Sequence, residues 1–159
     1  MSVARAGGPD GIFFNPGTAG GLNRVAADGG EQEVLASPRR EQGEKAYRFA
    51  EVLPGGKAVV VTVVSDDIES FDDASIAVVS LVTGEVRTIV EGGSSPRYSV
   101  TGHLVYARAG DLLAVPFDAS ALEVTGAPVR VLEGVAGYPT MGSAEVQPVS
   151  RRLAVLRSW

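Results

Sequence analysis

Two stretches decide the reading of this chain when set one above the other: Leu53-Pro54-Gly55-Gly56-Lys57-Ala58-Val59-Val60 and Ser99-Val100-Thr101-Gly102-His103-Leu104-Val105-Tyr106. Each is a glycine turn running into a strand of alternating or β-branched apolar residues. The same frame recurs upstream at Pro9-Asp10-Gly11-Ile12-Phe13-Phe14 and downstream at Pro148-Val149-Ser150-Arg151-Arg152-Leu153-Ala154-Val155. With Gly11, Gly56, Gly102 and Arg151 as equivalents, the steps are 45, 46 and 49 residues. A repeat of that period is the first fact to use, because it governs every later inference about the fold.

A second unit follows each such strand: an apolar strand, a glycine turn and a strand ending in Val-Leu or Ile-Val. Its copies run from Leu22 to Leu35, from Ile76 to Val90 and from Leu112 to Leu132. An extended stretch leads into the turn, as Tyr47 to Leu53 and as Ser95 to Val100. Hydrophobic alternation covers nearly the whole chain and no 3.6-residue stripe appears, so the class is all-β. Strands are expected at Gly11 to Asn15, Leu22 to Ala26, Ala58 to Val64, Ile76 to Leu81, Val86 to Val90, Leu104 to Ala107, Leu112 to Phe117, Val129 to Leu132 and Leu153 to Leu156. Turns such as Pro54-Gly55-Gly56-Lys57, Thr83-Gly84-Glu85 and Thr101-Gly102-His103 supply glycines that take positive φ without a steric cost.

Each period therefore holds four strands, A to D, in a meander. About 45 residues per four-stranded unit is the spacing of a β-propeller blade, and a blade alone buries too little apolar surface to stand by itself. The units fall at about 10–37, 46–92, 95–134 and 144–159: strands B, C and D, then two full units, then A and B. About three to three and a half blades of an incomplete propeller are expected over residues 1–159. Length variation is confined to connections, above all the acidic B-to-C loop Ser65-Asp66-Asp67-Ile68-Glu69-Ser70-Phe71-Asp72-Asp73 and the C-to-D segment Asp118 to Val124.

The string from Pro96-Arg97-Tyr98-Ser99-Val100-Thr101-Gly102-His103 through Leu113-Ala114-Val115-Pro116-Phe117-Asp118 to Leu122-Glu123-Val124-Thr125-Gly126 resembles the TolB-like, WD-repeat-like bacterial propeller repeats. Leu53-Pro54-Gly55-Gly56-Lys57 and Thr83-Gly84-Glu85 are similar to the same repeats. The resemblance covers about residues 10–157. It implies a binding platform of the kind found in sensor regions of bacterial serine/threonine kinases, extracytoplasmic in a full-length parent, because propellers serve unrelated proteins in that way. The chain departs from the family in holding fewer blades than its members carry.

Composition narrows the chemistry. The 159 residues are 45% apolar and 21% charged with a net charge of −5, which excludes a disordered chain. No cysteine is present, so no disulfide framework, thiol nucleophile or thiolate metal site exists. The acidic balance and scattered Arg and Lys argue against nucleic acid as a partner. No apolar run approaches the roughly 20 residues of a membrane span, and the first ten residues lack the apolar core of a secretory signal.

Candidate sites are few. His103, the single histidine, stands at a strand start where Lys57 and Arg152 are its expected equivalents, which is turn chemistry rather than proton transfer. Asp66, Asp67, Glu69, Asp72 and Asp73 place five carboxylates in one loop, the oxygen-rich composition a hard cation needs, but without the alternation of a preformed calcium loop. A solvated, mobile connection is the expectation there. Ser94, Ser95 and Ser99 form no Gly-x-Ser-x-Gly elbow, and the glycines at 7–11 and 16–21 precede no helix that would make a nucleotide loop. The mixed run Arg39-Arg40-Glu41-Gln42-Gly43-Glu44-Lys45 reads as a solvated linker. Arg97, Tyr98, Arg108 and Tyr138 are candidates for a ligand face, with packing against a neighbouring blade the competing role for Tyr98 and Tyr106.

These observations point to a non-catalytic scaffold or interaction module, with no catalytic residue, cofactor or metal expected. The alternative is the sensor portion of a larger enzyme, a serine/threonine kinase or a prolyl-oligopeptidase-like hydrolase, whose chemistry lies outside these residues. Open sheet edges are templates for pairing, so self-association is expected.

Overall fold

The computed structural model describes residues 2–8, 11–17, 19–134, 146–148 and 154–156, with the backbone path alone for 2–8 and the last two segments. The fold is all-β with antiparallel four-stranded sheets, as the period requires. Sheet 1 is β1 (Ser2–Gly8), β2 (Gly11–Asn15), β3 (Leu22–Val25) and β4 (Glu33–Ala36), paired in chain order. Sheet 2 is β5 (Glu44–Val52), β6 (Ala58–Ser65), β7 (Ser75–Ser80) and β8 (Val86–Glu91), in the same order. Sheet 3 runs β9 (Ser94–Ser99), β10 (His103–Arg108) and β11 (Asp111–Asp118), whose far edge is shared by β12 (Glu123–Val124) and β13 (Val129–Leu132). A last pair, β14 (Val146–Pro148) and β15 (Ala154–Leu156), is antiparallel.

Two differences from the sequence reading have physical causes. The first unit, expected to lack its A strand, gains one from β1: Ser2-Val3-Ala4-Arg5-Ala6-Gly7-Gly8 has a single large apolar residue, Val3, but pairing with β2 needs only its backbone. The second concerns the alignment of the turns. The Leu81 N–H donates to the Lys57 carbonyl and the Phe117 N–H to the Gly102 carbonyl, both at 2.9 Å. Lys57, not Gly56, is thus the structural equivalent of Gly102, and His103 answers to Ala58. The A-to-B connection of sheet 2 is one residue longer than that of sheet 3.

That one-residue shift decides which side chains face which sheet. One face of sheet 2, with Val59, Val61, Val63, Ala77 and Val79, packs on Phe13, Leu22 and Ala36 of sheet 1. The other face, with Ala58, Val60, Ile76 and Val78, packs on Leu104, Tyr106, Val115 and Phe117 of sheet 3. Sheet 2 is buried on both sides, which is why β6 reads as an almost unbroken valine run rather than an alternation. The innermost strands β1, β5 and β9 lie side by side, as blades do around an axis.

The reverse face of sheet 3 carries Val105, Ala107 and Leu112, with Val129 and Leu132 aligned beside Ala114 and Leu112. Val129, Val131 and Leu132 are exposed at 62%, 54% and 37%, and on sheet 1 Ile12 and Val34 are exposed as well. Among the described residues no helix is long and apolar enough to cross a membrane.

Candidate functional site

The polar side chains near the inner strands are mostly committed to joining one sheet to the next. Asn15, at the end of β2, donates through Nδ2 to the Gly20 and Tyr47 carbonyls, so the 16–21 connection of sheet 1 is tied to β5. Tyr47 N–H returns a bond to the Gly20 carbonyl at 3.0 Å. At the next junction the buried Thr62 hydroxyl accepts the Ser95 N–H at 3.0 Å. The Glu51 carboxylate accepts the Tyr98 N–H at 2.6 Å and faces Arg97 at 3.4 Å. Burial pushes the Glu51 carboxyl above its ordinary range, and the Tyr98 N–H and Arg97 pull against that without cancelling it.

The run 39–45 is not the solvated linker its mixed charges suggest. Glu44 is buried and receives the Arg39 side chain, the Arg39 backbone N–H at 2.8 Å and the Tyr47 hydroxyl at 2.7 Å. Arg39 also donates to the Val86 carbonyl of the outermost strand of sheet 2. Burial alone would raise the Glu44 carboxyl, but the hydrogen bonds from Arg39 and Tyr47 outweigh it and hold that carboxyl below its usual range. The same burial, with Glu44 beside it, raises the Tyr47 phenol.

The acidic loop is anchored at Phe71 and Asp72, while its other carboxylates stand in solvent. Phe71 is buried, Ser70 Oγ accepts the Asp72 N–H, and Asp72 Oδ1 accepts the Ala109 N–H of the β10–β11 turn at 2.7 Å. Asp66, Asp67, Glu69 and Asp73 are exposed, Asp66 at 3.9 Å from Lys45. Among the described residues no three of His, Asp or Glu converge as a metal would need.

The ligand-face candidates fare differently. Arg97 is half-buried on Glu51, Tyr98 stacks edge-on against Phe117 with ring centroids 6.4 Å apart, and Tyr106 is buried between sheets 2 and 3. Arg108 is exposed at the end of β10, and Tyr138 lies outside the described residues. His103 Nδ1 sits 3.1 Å from both the Thr101 hydroxyl and the Thr101 carbonyl, so its ring serves the turn.

One cleft was not singled out in the sequence. It holds about 280 Å³ between β5 and the 68–71 segment, lined by Lys45, Arg48, Val64, Ile68, Glu69, Ser70 and Phe71. The Arg48 guanidinium lies over the rings of Phe49 and Phe71, 5.3 and 5.5 Å from their centroids, and its Nε is buried with no hydrogen-bond partner. A cation set between aromatics in Tyr47-Arg48-Phe49 was the available signal. The alternation of that strand masked it.

No protein-family model matches this chain, and no curated protein matches it. Among solved structures the chain is similar to a calcium-binding protein, regucalcin, from Agrobacterium tumefaciens strain C58, with a TM-score of 0.56 and 18% identity. The match covers 80% of this chain and 43% of that one, so this chain spans less than half the length of the structure it matches. The likeness is one of fold, a β-propeller-like arrangement.

Proposed function

We propose that the chain is a non-catalytic β-propeller module of the TolB-like, WD-repeat-like kind that acts as an interaction platform through its open sheet faces. The observation that carries this reading is the contrast between sheets: the middle one is covered on both faces, whereas the reverse face of sheet 3 leaves Val129 and Leu132 in solvent. Apolar sheet surface of this build is what blades elsewhere in the chain bury against one another, and exposed apolar patches of that sort are contact surfaces. The side chains Asn15, Glu51 and Arg97 already hold sheet to sheet, and Glu44 fastens the 39–44 connection to β5, which are structural occupations. Light scattering over a concentration series tests the proposal. Growth of a species larger than the monomer is expected, and a monomer at high concentration would overturn it.

Calcium binding is named for the Agrobacterium protein. For this chain the platform reading expects millimolar calcium to leave the thermal unfolding midpoint unchanged, since a site that binds only the folded state must raise it. A raised midpoint would replace the platform with a cation-binding domain.

A further inference from the structure

The cleft beside β5 contains a strong donor group with no acceptor. The Arg48 side chain makes no hydrogen bond and no ion pair among the described residues, although five carboxylates belong to the loop that closes the cleft. Buried polar atoms are almost always paired, so an orphaned guanidinium Nε marks a place where an acceptor belongs. Phe49 and Phe71, with ring centroids 5.7 Å apart and 5.3 and 5.5 Å from the guanidinium carbon, stand together on one side of it. The donor edge of the fork is without an acceptor, and a planar two-oxygen group is its geometric complement.

We propose that this cleft binds a carboxylate, received edge-on by Arg48 with Lys45 as the second positive charge and Val64 and Ile68 against a short apolar body. Glu69 lines the same cleft and Asp66 sits beside Lys45, so the local field tolerates a single negative charge and opposes a phosphate dianion. The chemistry is shared by a free small acid and by the C-terminus of a peptide.

The test follows the Arg48 Nε–H resonance in chain labelled with ¹⁵N-arginine, assigned by its absence in Arg48→Lys. Isobutyrate and N-acetylvaline are added separately, against inorganic phosphate and chloride at equal ionic strength. A saturable shift with the carboxylates alone is expected. Tighter binding of N-acetylvaline assigns the site to peptide C-termini, and tighter binding of isobutyrate to a free acid. Arg48→Lys, read through the Ile68 and Glu69 amides, is expected to bind about tenfold more weakly because the ammonium lacks the fork. Glu69→Gln, which removes an exposed charge, is expected to bind more tightly. An Arg48 resonance that carboxylates do not move, or that phosphate and chloride move as far, overturns the proposal.

Discussion

Phe49 and Ser95 share the left-handed backbone conformation, with φ of 51° and 54°, at equivalent points of the inner strands β5 and β9. Both fall where the pairing with the next strand slips, between Arg48 and Glu51 in one sheet and opposite Val105 and Ala107 in the other. β1 slips at the corresponding place, between Val3 and Gly7. A non-glycine residue at positive φ costs on the order of 1 kcal/mol, so its recurrence at one repeat position is a property of the blade and not a local accident. The bulge turns Phe49 toward Phe71 and Arg48, and in the third sheet it brings the Ser95 N–H onto Thr62.

The acid sensitivity of the fold is expected to run through Glu44. Its carboxyl is held below the ordinary 4.5, so its contribution is complete above that value and is lost as pH falls through the lowered one. Glu51 has the opposite sign: its raised carboxyl binds a proton more firmly when folded, so acid favours that site. Glu44→Gln should flatten the loss of unfolding free energy below about pH 4.5, while Glu51→Gln should leave that acid limb in place. At neutral pH Glu44→Ala, which strands Arg39 and the Tyr47 hydroxyl, should cost about 2–4 kcal/mol. Urea unfolding across pH reads all three variants.

Gly21→Ala is expected to break the first sheet. A Cβ there would stand 1.9 Å from the Ala36 carbonyl oxygen, where β3 begins and β4 ends, and backbone cannot yield as a side chain does. A cost of about 3 kcal/mol or more is expected, as for the severest overpacking. Thermal unfolding followed by circular dichroism measures it, and an unchanged midpoint would mean that the β3–β4 contact is not as close as described.

Ala109→Gly should stabilise the chain. Ala109 has φ of 52° and Gly110 of 79°, the two positive values of a two-residue hairpin turn, and Ala109 is exposed. Relief of the left-handed alanine should outweigh the added freedom of the unfolded chain, for a gain of about 0.5–1 kcal/mol. The Ala109 N–H to Asp72 bond is retained, so a loss of stability in denaturant titration would contradict the turn geometry.

Much of this architecture is legible in the sequence because blade formation depends on local signals. Glycine turns and valine runs placed β2, β6, β7, β10 and β11 to within a residue or two. What escaped was set by contacts distant in sequence. β1 has one large apolar side chain, Val3, to announce it. The equivalence of Lys57 and Gly102 is fixed by carbonyls that receive Leu81 and Phe117, which no turn motif encodes. Glu44 looks solvated in a charged run, and only the fold brings Arg39 and Tyr47 around it. Arg48 looks like the polar member of an alternating strand until Phe71 arrives from the loop after β6.

The most direct test of stacked blades with an open interaction face is amide hydrogen exchange resolved by strand and repeated over a range of protein concentrations. Val59–Val63 of β6 and Ile76–Val79 of β7, covered on both faces, should exchange slowest at every concentration. Val129–Leu132 of β13 should exchange fast in dilute solution and gain protection as copies associate. Protection of β13 equal to that of β6 in dilute solution, or a β13 that concentration never protects, would contradict the account.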